Sequence, residues 1–102
     1  MGGGRWDTAS GPLSTVSGGS RNLASANSAT VAGGASNVAD GLLAAIGGGQ
    51  ENTASGLGAT VPGGLGNSAI GDYAFAAGNR AKANHFGSVV ITAAAGDSAL
   101  SG

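Results

Sequence analysis

Residues 22–36 read NLASANSATVAGGAS and residues 37–51 read NVADGLLAAIGGGQE. Set in register with DTASGPLSTVSGGSR (7–21), NTASGLGATVPGGLG (52–66) and NSAIGDYAFAAGNRA (67–81), they show one pattern advancing by 15 residues. Asn22, Asn37, Asn52 and Asn67 open four of these blocks. A short fixed period means one small supersecondary unit stacked on itself. Such stacks present surfaces more readily than they build reaction centres, so a structural or binding protein is expected, not an enzyme.

Each block holds two alternating segments. The first places Ala24, Ala39, Ala54 and Ala69 in one column. The second pairs Ala29 with Val31, Ala44 with Ile46 and Ala59 with Val61, and sets Thr30, Ala45 and Thr60 on the other face. Period-2 alternation over so few residues, with β-branched side chains, predicts strands. Glycine pairs follow at Gly33–Gly34, Gly48–Gly49 and Gly63–Gly64, where positive φ would make a sharp corner. Asn tolerates left-handed geometry and can bond neighbouring backbone, so it fits the exit from that corner. Two strands and two corners per block make one coil of an all-β parallel β-solenoid. Stacked coils put identical residues about 4.8 Å apart, which turns the Asn column into a ladder.

Composition agrees with a thin coil. The 102 residues allow one domain, 22 are Gly, and the 41% that are hydrophobic are mostly Ala and Val. Ala24, Val31, Ala39, Ile46, Ala54, Val61 and Ala69 are the expected coil core. A core this small leaves one stack poorly supported. Leu23 and Val38, after the Asn, and Leu42, Leu43, Leu57 and Tyr73, at the bend, are apolar yet do not fit inside. They are the expected interface of an obligate self-assembly.

Several function classes are unsupported. There is no Cys for disulfides or Cys-based zinc sites. Four basic residues cannot track a phosphate backbone, so no nucleic-acid partner is expected. No apolar run reaches the roughly 20 residues of a membrane span, so direct membrane insertion is not expected either. The start, MGGGRWDTAS, lacks the apolar core of a signal peptide; a chain complete as given would not enter a secretion pathway by itself. His85 is the single histidine, no serine sits in a nucleophile elbow, and no Gly-Lys-Ser/Thr follows the glycine pairs. No catalytic, metal or cofactor residues are therefore expected. Thr15, Thr30 and Thr60 align as in ice-binding solenoids, but Ala45 breaks the row.

The pattern N-x-A-S-G-x-x-A-T-V-x-G-G, with the closing stretch SAIGDYAFAAGNRAKA (68–83), resembles the YadA-like head repeats of trimeric autotransporter adhesins. That resemblance covers about Asp7 to Ala83 and implies a left-handed parallel β-roll in a homotrimer, displayed on a cell surface and binding host-surface or matrix proteins. Related repeats occur in phage fibre and other virion surface proteins, which is the alternative setting. No stalk, neck or membrane-anchor pattern accompanies it. The expected layout is a lead-in or cap at 1–6, the roll at 7–83, and an irregular capping segment at 84–102. Trp6, Phe86, Val89 and Ile91 are the expected caps, because the open end of a solenoid exposes backbone and core.

Overall fold

A computed structural model of the chain describes residues 6–92. It is an all-β parallel solenoid of about six turns, and the described residues include no helix. Alternate short strands build one sheet: β1 (Thr8–Ala9), β3 (Leu23–Ala24), β5 (Val38–Ala39), β7 (Thr53–Ala54), β10 (Ser68–Ala69) and β12 (Lys82–Ala83), in that order. The second sheet runs β2 (Thr15–Val16), β4 (Thr30–Val31), β6 (Ala45–Ile46), β8 (Thr60–Val61), β11 (Phe75–Asn79) and β13 (Val89–Thr92), with β9 (Gly64–Leu65) also paired to β11. Every pairing is parallel, and like columns meet: Thr8 faces Leu23, Leu23 faces Val38, and Thr15 faces Thr30.

The core between the sheets is a single file of small side chains. Val16, Ala24, Ala29, Val31, Ala39, Ala44, Ala54, Ala59, Val61 and Ala69 are fully buried, and Ile46 is the largest side chain inside. The molecule is only 13 Å across its thinnest dimension. Outward alternates such as Leu23, Thr30, Val38 and Thr60 are half-buried.

Backbone hydrogen bonds tie each coil to both neighbours, with opposite polarity at different positions. Strand residues donate upward, as from the Leu23 N–H to Asn37 O and the Thr30 N–H to Ala44 O. Two positions per coil adopt left-handed φ near 60°: the bend residues Leu13, Ser28, Leu43, Gly58, Tyr73 and Gly87, and the residues preceding the Asn column, Arg21, Ser36, Glu51, Gly66 and Arg80. Their N–H groups point down: Leu43 donates to Asn27 O, Tyr73 to Leu57 O, and Glu51 to Ala35 O. Left-handed geometry costs a non-glycine residue about 1–2 kcal/mol. The downward bond returns part of that cost. Asn itself is not the left-handed residue; its predecessor is.

The register departs from the sequence expectation in the last turns. Ser68 pairs with Lys82 and Phe75 with Val89, a step of 14 residues. Gly78 pairs with Gly64, so the lost residue lies at the glycine corner: Pro62-Gly63-Gly64 is answered by Ala77-Gly78. The fifth block accordingly ends at Arg80, and Ala81 takes the place an Asn would hold, donating its N–H to the Asn67 Oδ1 at 2.8 Å. Residues 84–92 are not irregular. They complete a sixth turn whose strand β13 runs four residues beside β11. Residues 1–5 of the expected lead-in and 93–102 of the expected cap lie outside the described residues.

Candidate functional site

The Asn corner comes first, because it closes each coil from within. Asn22, Asn37, Asn52 and Asn67 are at most 1% exposed. The Asn37 side chain donates from Nδ2 to Gly33 O in its own coil and to Gly49 O in the next, both at 3.0 Å. Its Oδ1 accepts the Asn52 N–H at 3.0 Å. Asn52 repeats this with Gly48 O, Gly64 O and the Asn67 N–H. Only a short primary amide supplies one acceptor and two donors at that reach. The Gly33 and Gly48 carbonyls are thereby paired inside the protein, and the Gly49 and Gly64 carbonyls, which already accept the Ala35 and Gln50 N–H groups, gain a second donor.

The two glycines of each pair have different tasks. Gly34, Gly49 and Gly64 have φ of 91°, 86° and 106°, and a Cβ on any of them would run into the corner carbonyl of the next coil. Gly33 and Gly63 would meet nothing. Gly48 is equally open but keeps a positive φ, at 158°, which a side chain rarely adopts. When the corner shortens, Gly78 keeps the positive φ, at 108°, and the open glycine is the one omitted.

Asp7 occupies the Asn column at its lower end. Its Oδ1 accepts the Asn22 N–H at 2.9 Å, as an Asn would. Its Oδ2 is buried without a partner, at the position where the amides of later coils donate to corner carbonyls.

The opposite bend is built from apolar side chains that remain outside. Leu13 is 83% exposed, Leu43 57% and Tyr73 58%, all in the left-handed column; Leu42 at 46% and half-buried Leu57 lie in the column beside it. Phe86, expected as a cap, stands in that second column above Asp72, and its ring meets Tyr73 edge-on at 5.7 Å. Leu23 and Val38, grouped with these residues by sequence, lie instead on the first sheet, neighbours of one another. The bend thus gathers Leu13, Leu42, Leu43, Leu57, Tyr73 and Phe86 into one ridge.

The other expected caps are placed differently. Trp6 lies beneath the Arg21 guanidinium, 5.0 Å from ring to cation, with two-thirds of its surface exposed. On β13 the residue packed against the core is Val90, whereas Val89 and Ile91 face outward. Alternation was legible there but its parity was not, because a 14-residue step cannot be read from a 15-residue repeat. The last turn is tied instead by the Thr92 hydroxyl, which donates to Asn79 O at 2.6 Å and accepts the Asn79 N–H at 2.9 Å. Ile70, exposed in a column otherwise holding Ser10, Ser25, Asp40, Ser55 and Asn84, is a surface apolar residue the sequence reading missed. Its signal was being the one apolar residue among them.

Among the described residues no three His, Cys, Asp or Glu side chains gather as a metal site, and no helix is long and apolar enough to cross a membrane. The threonine row passes from Thr15 and Thr30 through Ala45 to Thr60, then meets Phe75. Comparison with known proteins returned no matching family model and no curated relative.

Proposed function

We propose that this chain is a non-enzymatic display module: a rigid, left-handed β-roll that works as a homotrimer and offers its outer faces to a partner, in the manner of an adhesin head. The observation that carries this reading is the ridge at the bend. Leu13, Leu42, Leu43, Tyr73 and Phe86 are exposed along one edge, while the interior holds nothing larger than Ile46. Solitary surface leucines need no explanation, but an aligned apolar row on a chain with so little core does. Packing that row against its copies removes it from water and widens the core that one coil lacks.

The left hand, the threefold symmetry and the cell-surface setting come from the resemblance to YadA-like head repeats. Host-surface or matrix proteins are the partner class it implies. Light scattering across a dilution series tests the assembly. Trimer mass supports the reading, and a folded monomer overturns it. Pull-down of matrix proteins by the intact trimer, but not by a heat-denatured sample, tests the adhesive role.

A further inference from the structure

The column that precedes the Asn ladder reads Arg21, Ser36, Glu51, Gly66, Arg80 on successive coils, all with φ between 57° and 66°. Gly66 is its glycine, and the missing side chain leaves a notch of about 330 Å³ lined by Glu51, Leu65, Gly66, Arg80 and Lys82. That volume is at the lower end of small-molecule sites. The chain has only nine charged residues, four basic and five acidic, and three of the nine line this one notch. None of the three has an ion-pair partner among the described residues.

The charges are sorted by height. Glu51 lies one coil below Gly66, and Arg80 one coil above it. Lys82 is on the upper side as well, in the strand that pairs with Ser68. At about 4.8 Å per coil, the Glu51 and Arg80 backbones are roughly 10 Å apart. The gap between them suits a guest about one coil long. A singly charged guest would answer one side and leave the other unpaired. Leu65, 39% exposed, supplies an apolar wall for a short methylene chain.

We propose that this notch binds a small zwitterion, with a primary ammonium at Glu51 and a carboxylate at Arg80 and Lys82, its charges about 5 Å apart. The site is at the corner opposite the apolar ridge. It stays open when copies pack along that ridge, and it does not depend on the assembly. Because it is open to solvent, its affinity falls as salt rises.

The probe is 4-aminobutanoate, titrated into the intact protein in its native assembly and followed by the amide resonances of Gly66 and Arg80. Butanoate and butylamine are the singly charged comparisons. The expected result is saturable shifts, with the zwitterion bound about tenfold more tightly than either comparison. Gly66→Gln should abolish binding with an unchanged circular dichroism spectrum, since Glu51 already places a side chain of that size at φ 57°. Glu51→Gln should lower the zwitterion to the level of butanoate. Equal binding of all three probes, no saturable shift with the zwitterion, or undiminished binding by folded Gly66→Gln would overturn the proposal. Butanoate binding as tightly as the zwitterion would also overturn it, leaving a simple anion site.

Discussion

At the Asn corner the protein finishes its own chemistry: each Asn ties to the coil below through its backbone N–H, and its amide bonds its own corner and the coil above, leaving nothing for a partner. At the bend, on the far side of the same coil, the backbone is equally regular but the side chains are left in solvent. The two corners share a left-handed residue and a downward N–H bond. They differ in the side chains that complete them. One is closed by buried polar groups that demand a unique residue; the other is finished by apolar groups that need only something to cover them. The first explains why the coils stack in register, and the second is the ground for proposing that one stack is not the whole structure.

The largest effects should come from breaking the closed corner and the core behind it. Gly49→Val forces a branched side chain onto φ 86° and into the corner carbonyl of Gly64. A loss of about 4 kcal/mol or more is expected, seen as failure to fold in circular dichroism. Val31→Asp should be as severe, because a carboxylate there has no partner. Gly33, which the sequence ranked equally with Gly34, is open and has no positive φ, so Gly33→Ala should cost under about 1 kcal/mol. Equal damage from the Gly33 and Gly49 replacements would erase the distinction between the open and the closed glycine of each pair.

Removing one amide comes next. Asn37→Ala leaves the Gly33 and Gly49 carbonyls and the Asn52 N–H each short of a bond. Denaturant unfolding should show a loss of about 3 kcal/mol. On the bend, Leu43→Ser with Tyr73→Ser should leave the secondary structure unchanged and weaken self-association by about a hundredfold, read by analytical ultracentrifugation. If that double variant instead melted like Asn37→Ala without changing mass, the contrast between the corners would fail. The smallest change should be a gain. Asp7→Asn gives the lower end of the ladder the amide that its unpartnered Oδ2 lacks, for about 1 kcal/mol of added stability.

The coil was legible because it recurs. Ala24, Val31, Asn37 and Gly49 announced themselves by spacing, and repetition let each position be read several times over. What was not legible was whatever happens once. The shortening at Ala77-Gly78 removes a residue from a corner that still closes, because Gly78 keeps the required φ; in sequence it looks like loss of the pattern. That single step sets which of Val89, Val90 and Ile91 meets the core and puts Phe86 on the bend, and the 15-residue repeat displays neither. The notch at Gly66 escaped for a related reason. It exists through the neighbours of a glycine on coils above and below, and no linear spacing displays them together. Which of two adjacent glycines carries the strain also needed φ values, since Gly33 and Gly34 are identical letters.

The central claim is that a column of such slender coils stays folded by covering its apolar bend with further copies of itself. Light scattering and thermal melting of the same samples, diluted from millimolar to nanomolar, test it most directly. The account predicts a constant multiple of the chain mass at the concentrated end and a melting temperature that falls with dilution. A cooperative melt at one fixed temperature, from particles of single-chain mass throughout, would contradict it.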